Sequence, residues 1–349
     1  MRIIVGTMTG TSMDGVDAVA VRIDGEGLSM SASFIRIASS DLGNLTPVLR
    51  ELAVRGGSED ELGYAAKKLG IITAQTIQKL QLESIDLIAL HGQTIFHDPP
   101  ISVQLINPQS VLDAFPCTVL TDPRQADLQL GGQGAPITPL ADWIMFRHET
   151  KKTAVINLGG FCNVTILPAN CAPKHILGFD VCCCNLLLNA IARERLNTDF
   201  DFNGTVASKG QVDNAVCNTL FEYLSEQSQA DRSLGTNDDL GRFALKLRKE
   251  LSTQDLLASA TKAIGSCIAG SHDAERVLLA GGGVHNEQLV SHISTVETIE
   301  PLGIPAQARE GMAMAILGAV AKDGFSITLP QITGRLKTDE VVGWVQVSP

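Results

Sequence analysis

Residues 5–17 read Val5-Gly6-Thr7-Met8-Thr9-Gly10-Thr11-Ser12-Met13-Asp14-Gly15-Val16-Asp17. This segment joins two apolar runs through a turn that is rich in glycine and hydroxyl side chains and contains Asp14 and Asp17. Glycines let backbone N–H groups approach an anion closely, hydroxyls add donors, and a nearby carboxylate can hold a hydrated divalent cation. A tight hairpin needs only two to five residues, whereas about ten separate the runs here, which favours a nucleotide phosphate site over a plain turn. It is not a Walker loop, because no Gly-Lys-Ser/Thr follows.

The surroundings of this loop predict a sheet that is repeated later in the chain. Residues 3–5, 18–23 and 31–37 have the pattern of an antiparallel meander. A second strand, glycine turn and strand occur at residues 153–167, where Asn157 is followed by Gly159 and Gly160. Such a recurrence indicates two related half-molecules, each beginning with a hairpin.

The length of 349 residues also favours two domains, at roughly 150 residues per domain. We expect residues 1–138, joined by a returning C-terminal segment 325–349, to form one domain, and residues 139–324 to form the other. A cleft between the two domains is then expected to hold the ligands.

Other local patterns predict single elements. Ser58 and Glu61 have the spacing of a capping box and begin a helical periodicity. A buried strand over residues 276–280 runs into Gly281-Gly282-Gly283, where bare backbone would admit a flat ligand or simply form a loose turn.

The charge and hydropathy of the chain exclude several function classes. A net charge of -11 without any basic block argues against nucleic acid as a partner. No apolar run approaches the ~18 residues that cross a bilayer, and the first residues read as a strand, so we expect no signal peptide. We therefore expect a cytoplasmic protein that does not bind membranes, and the sequence leaves a homodimer open.

The eight cysteines are sparse in a chain of this length, which favours reduced thiols over a disulfide framework. Cys182, Cys183 and Cys184 are adjacent, and they could be packing residues, thiols activated by a helix N-terminus, or a metal site. Packing is favoured, because three adjacent residues cannot all converge on one metal from a regular helix.

Several polar residues occur where predicted strands end. His91 precedes Gln93 and Thr94, and we favour a structural role for His91 and a ligand-facing role for the other two. Arg124 and Asp127 form either a local ion pair or a contact to an anionic or polyhydroxylated substrate. Asp180 ends a short apolar run, and a carboxylate there could accept a proton from an attacking oxygen. Helix capping is the alternative, although Asn185 could provide the cap instead.

Together these segments resemble the anhydro-N-acetylmuramic acid kinases, which are members of the actin-like ATPase and sugar-kinase superfamily. The resemblance covers nearly the whole chain and is carried by residues 6–17, His91-Gly92-Gln93-Thr94, Gly131-Gly132-Gln133-Gly134-Ala135-Pro136, Asn157-Leu158-Gly159-Gly160, Gly281-Gly282-Gly283-Val284-His285-Asn286 and Thr333-Gly334. It implies an α/β fold of two actin-like (ribonuclease H-like) domains with an ATP and substrate cleft between them.

The resemblance further implies a reaction and a set of site residues. The family opens the 1,6-anhydro bridge of anhydro-N-acetylmuramic acid with water and transfers the γ-phosphoryl group of ATP to O6, giving N-acetylmuramic acid 6-phosphate for cell-wall recycling. By resemblance, Asp180 is the base that activates water, and Asp14 contacts Mg²⁺ or its waters. The ATP-binding residues would be Gly10, Thr11, Ser12, Met13, Asp14, Gly15, Val16, Asp17, Asn157, Gly159, Gly160, Gly281, Gly282 and Gly283. The sugar-lining residues would be Gln93, Thr94, Arg124, Asp127 and Glu310.

One departure from the family pattern leaves alternatives open. Where the family usually reads Asp-Thr-Gly-Pro-Gly-Asn, this chain reads Asp180-Val181-Cys182-Cys183-Cys184-Asn185. A cysteine at a position with positive φ would cost roughly 1–2 kcal/mol or change the backbone path. We therefore expect an active anhydro-sugar kinase, with a nucleotide-binding pseudokinase and a kinase of another anhydro sugar such as levoglucosan as the alternatives.

Overall fold

The computed structural model describes residues 1–10, 13–229, 232–235, 238–247, 250–293, 296–338 and 340–347. These residues form two compact units. The first contains Met1–Arg147, Ala172–Lys174 and Gly303–Pro349, and the second contains His148–Cys171 and His175–Leu302.

The strands of the described chain are numbered in sequence order. They are β1 (Arg2–Met8), β2 (Gly15–Asp24), β3 (Ser31–Asp41), β4 (Leu87–Leu90), β5 (Gln93–Asp98), β6 (Ile101–Leu105), β7 (Thr118–Thr121), β8 (Thr153–Leu158), β9 (Phe161–Leu167), β10 (Leu177–Cys183), β11 (Arg276–Ala280), β12 (Val296–Thr298) and β13 (Val345–Val347).

The helices are numbered in the same way. They are α1 (Leu45–Arg55), α2 (Glu59–Gln78), α3 (Gln109–Leu112), α4 (Gln125–Gln129), α5 (Pro139–Phe146), α6 (Asn185–Leu196), α7 (Asn214–Ser228), α8 (Gly241–Ala244), α9 (Thr253–Gly270), α10 (Glu287–Val290), α11 (Ala308–Lys322) and α12 (Pro330–Thr333). No helix of the described residues is long and apolar enough to cross a membrane.

The two units contain sheets that repeat one strand order. In the first unit the order is β13-β7-β4-β1-β2-β3, with β1, β2 and β3 antiparallel and β4 and β7 parallel to β1. In the second unit the order is β10-β9-β8-β11-β12, again with an antiparallel meander followed by two parallel strands. The expectation of two related half-molecules, each beginning with a hairpin, is confirmed.

Two elements agree closely with their local sequence signals. Ser58 caps α2, and its hydroxyl and the Glu61 side chain form the expected reciprocal capping box. Strand β11 has the bounds expected for the buried strand before Gly281. Both patterns depend on residues that are close in sequence.

Helix α11 belongs to the first unit, whereas the sequence analysis assigned residues 139–324 to the second domain. The reason is a close approach of backbones: a Cβ on Gly6 of β1 would lie 2.0 Å from the carbonyl oxygen of Gly311. Two glycines allow the helix to lie directly on the strand, so α11 forms part of the first core. The unit boundaries thus differ from the expected ones at residues 139–147, 172–174 and 303–324.

Candidate active site

The glycine-rich loop lies between β1, which ends at Met8, and β2, which begins at Gly15. The Thr9 hydroxyl donates to the carbonyl oxygen of Gly92 at 2.7 Å, and the Met13 N–H donates to the carbonyl oxygen of Gly10 at 3.2 Å. Met13 has a φ of 56°, in the left-handed region that is unusual for a residue with a side chain. Thr11 and Ser12, both expected to bind ATP, lie outside the described residues.

Three residues that the sequence analysis placed in this loop belong to strand β2 instead. Gly15 begins the strand, and Val16 is 1% exposed, so its side chain packs in the core. Asp17 accepts hydrogen bonds from the Ser39 hydroxyl at 2.5 Å and from the Gln307 amide at 2.9 Å. The loop between the two strands is therefore limited to residues 9–14, which is shorter than the ten residues expected.

The two acids of the segment lie close enough to affect each other. Burial raises the pKa of Asp17, hydrogen bonds from Ser39 and Gln307 oppose this, and the Asp14 carboxylate raises the pKa further. Mg²⁺ takes one or two carboxylates together with water and phosphate oxygens. Asp14 is exposed at the end of the loop and fits that donor set. The described residues contain no group of three or more His, Cys, Asp or Glu side chains arranged to hold a metal by themselves.

His91 and Arg124 form the centre of a polar cluster in the first unit. An Arg124 terminal nitrogen lies 3.1 Å from His91 Nε2, so the imidazole accepts there and donates from Nδ1 to the carbonyl oxygen of Gly92 at 2.9 Å. Burial and the Arg124 charge lower the pKa of His91 to about 3, which keeps the ring neutral. The second terminal nitrogen of Arg124 donates to the carbonyl oxygen of Gly134 at 2.9 Å. His91 thus has the structural role that the sequence favoured, and it orients Arg124.

Gln93 and Thr94 open strand β5 next to this cluster. The Gln93 amide donates to the carbonyl oxygen of Gly10 at 3.2 Å, which links β5 to the glycine loop. Its Oε1 is buried and makes no hydrogen bond within the described part of the chain. Gln104 accepts from Arg124 Nε at 2.7 Å and donates to Asp122 at 3.2 Å. The structure therefore gathers Gly10, Gln93, Thr94 and Arg124 in one region of the first unit.

Glu310 lies in the first turn of α11 and is partly buried. Its neighbour Gly311 is the residue that contacts Gly6 of β1. Glu310 therefore belongs to the first unit, together with the other residues assigned to the sugar.

Asp127 has a different position from the one expected of a sugar contact. It is fully buried, and its carboxylate accepts from the hydroxyls of Thr328 at 2.7 Å and Thr333 at 2.8 Å and from the Gly134 N–H at 2.8 Å. The Arg335 Nε lies 3.8 Å away. Buried carboxylates need such partners. The donors Thr328, Thr333 and Arg335 come from the C-terminal segment, and Gly134 comes from the loop that follows α4. Asp127 is therefore an internal anchor of the first unit and not a surface residue that a sugar could reach.

The two glycine turns of the second unit lie against each other. A Cβ on Gly281 would lie 2.6 Å from Asn157 Oδ1, and one on Gly283 would lie 2.6 Å from the Leu158 Cβ. Gly281 has a φ of 83°, which only glycine adopts readily, while a Cβ on Gly282 would meet open space. Gly282 is also exposed, so bare backbone there leaves room for a flat ligand.

The Gly159-Gly160 turn is tied to the start of α6. The backbone N–H groups of Cys184 and Asn185 donate to the carbonyl oxygens of Gly160 at 2.9 Å and Gly159 at 3.1 Å. The Asn185 side chain donates to the carbonyl oxygen of Leu158 at 2.9 Å. Asn185 therefore supports the glycine turn and does not cap α6, as the sequence analysis had allowed; the N-cap residue is Cys184, without a side-chain cap.

Strand register places Asp180 in one row with two asparagines. Asp180 of β10 pairs with Asn163 of β9, which pairs with Asn157 of β8, and Asn157 pairs with Ala280, the residue before Gly281. Residues directly opposite one another share a face of the sheet, at about 5 Å per strand. The candidate base and the glycine turns therefore lie in one band of the same sheet. Asn163 was missed by the sequence analysis, and the only signal for it was a polar residue inside an apolar strand.

Asp180 lies within β10 and not at a strand end, and the strand register shifts between Asp180 and Cys182. Such a bulge redirects a side chain locally. The Asp180 carboxylate accepts a hydrogen bond from the Leu234 N–H at 2.8 Å.

The three adjacent cysteines are core residues. Cys182 and Cys183 complete β10, Cys184 precedes α6, and each is fully buried. None has a positive φ, so none occupies the left-handed region that favours glycine, although Cys184, with φ −124° and ψ −102°, lies outside the helical and extended regions. All three side chains pack in the core of the second unit, and the packing interpretation is confirmed.

Comparison with known proteins settles the family. The sequence profile of the anhydro-N-acetylmuramic acid kinases matches residues 2–346. The chain belongs to this family. An anhydro-N-acetylmuramic acid kinase of Salinibacter ruber is 29% identical, with 95% of this chain and 93% of that protein covered. One of Bacillus cereus is 26% identical, with 96% of each chain covered.

A search of solved structures finds distant similarity. Component A of (R)-2-hydroxyglutaryl-CoA dehydratase from Acidaminococcus fermentans has a TM-score of 0.48 and 11% identity, with 93% of this chain and 99% of that chain covered. Family membership and the repeated strand order of the two units agree with the actin-like α/β fold expected from the sequence.

Proposed function

We propose that this chain is an ATP-dependent kinase that hydrolyses the 1,6-anhydro bridge of anhydro-N-acetylmuramic acid and phosphorylates O6. The product would be N-acetylmuramic acid 6-phosphate, an intermediate of cell-wall recycling in the cytoplasm. Family membership supports the reaction class. The observation that carries the proposal is the row of Asp180, Asn163 and Asn157 beside the Gly281 turn, which brings a carboxylate and bare glycine backbone into one band of one sheet.

In this proposal, the second unit carries the base and a set of nucleotide-binding residues. Asp180 accepts the proton of the water that attacks the anomeric carbon. Asn157, Gly159 and Gly160 face phosphates, and the Gly281 to Gly283 turn borders the adenosine. Backbone N–H groups suit this task because phosphoryl transfer depends mainly on positioning and on stabilisation of charge.

The first unit carries further candidate binding residues. Residues 10–14 bind phosphate oxygens through backbone N–H groups and hydroxyls, and Asp14 is the candidate ligand of Mg²⁺ or its waters. The magnesium ion, when bound, neutralises phosphate charge. Gln93, Thr94, Arg124 and Glu310 line the sugar. Arg124 is held by His91 and Gly134, so a charge-assisted hydrogen bond to the substrate costs little side-chain entropy.

Product analysis in ¹⁸O-labelled water tests the proposal. Purified protein with ATP, Mg²⁺ and anhydro-N-acetylmuramic acid should give a product with ¹⁸O at the anomeric carbon and phosphate on O6. ATP binding without turnover, alongside an active control kinase, would support a pseudokinase instead. A higher kcat/KM for levoglucosan would identify a different sugar as the substrate.

The Asp180→Asn variant tests the assigned base. Turnover should be abolished and ATP affinity retained, because an amide can still accept from the Leu234 N–H but cannot take up the proton. Asp199→Asn, at an exposed position, serves as the control and should behave like the wild type. An active Asp180→Asn enzyme would remove Asp180 as the base.

A further inference from the structure

One hydrogen-bond donor to the Asp180 carboxylate lies on a loop. Leu234, whose N–H donates to Asp180 Oδ2 at 2.8 Å, is in the described segment 232–235, which has no helical or strand hydrogen bonding. A loop donor fixes a carboxylate only when the loop itself is fixed. The contacts that hold this loop therefore contribute to the orientation of the Asp180 carboxylate.

Asp238 forms hydrogen bonds with two residues of this loop, Arg232 and Gly235. Its carboxylate accepts from the Gly235 N–H at 2.7 Å and from the two terminal nitrogens of Arg232 at 2.9 and 2.6 Å. The Asp238 N–H donates in return to the carbonyl oxygen of Gly235 at 2.9 Å. Burial alone would raise the pKa of Asp238, but the Arg232 and Gly235 hydrogen bonds lower it overall. The charged carboxylate thus fixes the residues on either side of Leu234.

Gln227, in the last turn of α7, joins this loop to the strand that carries Asp180. Its Oε1 accepts from the Cys183 N–H at 2.8 Å, and its Nε2 donates to the Asp238 carbonyl oxygen at 2.7 Å. Cys183 lies on β10, just beyond the register shift that follows Asp180. The side-chain amide of Gln227 therefore connects strand β10, which carries Asp180, with the loop that carries Leu234.

We propose that Gln227 is a positioning residue for the Asp180 base, because it fixes the loop that donates to Asp180 relative to the strand that carries it. This inference rests on the proposed function.

The bridge that Gln227 forms has a measurable consequence for catalysis. A backbone N–H that donates to a carboxylate favours its charged form, which is the form that accepts a proton. Loss of the bridge should disorder the donor, lower kcat about tenfold and move the acidic limb of the kcat profile to higher pH. The KM for ATP should stay unchanged, because the glycine turns are anchored by Asn185 and not by Gln227.

The test compares Gln227→Met with Gln229→Met. Methionine keeps the side-chain length and makes neither hydrogen bond, and Gln229 is exposed at the end of the same helix. The Gln227 variant should show the lower kcat and the shifted pH profile, and the Gln229 variant neither. A kcat within twofold of the wild type, or a loss of kcat with an unmoved pH profile, would overturn the inference. If Gln227→Met fails to fold, Gln227→Glu, which keeps the acceptor for Cys183, replaces it with the same expectations.

Hydrogen exchange of the Leu234 amide separates this inference from the proposed function. The amide should be protected in the wild type, and its exchange should become at least tenfold faster in the Gln227 variant, while the Val216 amide, bonded to Asp213, stays unchanged. Unchanged protection of Leu234 would contradict the bridge even in an enzyme without turnover. Absence of turnover in the wild type, with this change in exchange observed, would contradict only the proposed function.

Discussion

Gly281 lies so close to Asn157 that a Cβ would come within 2.6 Å of the asparagine side-chain oxygen. Its φ of 83° adds a second reason why only glycine fits. The neighbouring Gly282 has neither constraint, since a Cβ there would meet open space and its φ lies outside the positive region. A side chain at Gly281 would therefore disturb the fold, whereas a side chain at Gly282 would affect only a ligand bound there.

Alanine substitutions at these two glycines should have different effects. Gly282→Ala should keep the melting temperature of the wild type and weaken ATP binding about tenfold, because the added methyl group occupies the face assigned to adenosine. Gly281→Ala should lower stability by about 1–3 kcal/mol through backbone strain. Calorimetry of ATP binding and thermal unfolding provide the measurements, with Gly270→Ala as a control in open space. Unchanged ATP affinity in Gly282→Ala would remove this turn from the nucleotide site.

Substitution of Asp127 should affect stability and not sugar affinity. Asp127→Asn leaves Thr328 and Thr333 with a weaker acceptor in a fully buried site, and we expect a loss of about 3 kcal/mol in unfolding free energy. Denaturant unfolding measures it, with the exposed Asp113→Asn as the matched control. A specific rise in the KM for the sugar at unchanged stability would restore the role that the sequence suggested.

The example of Asp127 shows where prediction from the sequence ends. Its partner Thr333 is 206 residues away along the chain, so no local pattern reveals the contact. The capping box of α2 and the bounds of β11 were predictable because their determinants are adjacent residues. Asn163 became visible only through the register of three strands, which is set by tertiary packing. The sequence motifs were thus sufficient to identify the glycine turns. Which residues lie beside them became known only from the strand pairing in the folded structure.

The neutral His91 should make stability dependent on pH. Its pKa is lowered to about 3 in the folded protein from an ordinary value of 6.5, so between these values the unfolded chain binds a proton that the folded chain does not. Stability is therefore full above pH 6.5 and falls as the pH drops toward 3. From pH 7 to pH 5 this one group should cost about 2 kcal/mol. Urea unfolding at both pH values measures the loss, which should be smaller in His91→Gln; an equal loss in both proteins would contradict the assignment.

The buried cysteines should be unreactive in the folded protein. Burial raises the pKa of Cys183 to about 12 and raises that of Cys184 well above its ordinary value, so neither forms the thiolate that alkylating reagents require. Cys184 is the N-cap residue of α6, where an activated thiol would otherwise be expected. Iodoacetamide at about pH 8 should leave the peptide with Cys182, Cys183 and Cys184 unmodified in the folded protein and alkylate it fully in guanidinium chloride, as mass spectrometry would record. Rapid alkylation in the folded state would show instead that the helix terminus activates these thiols and that packing is not their main role.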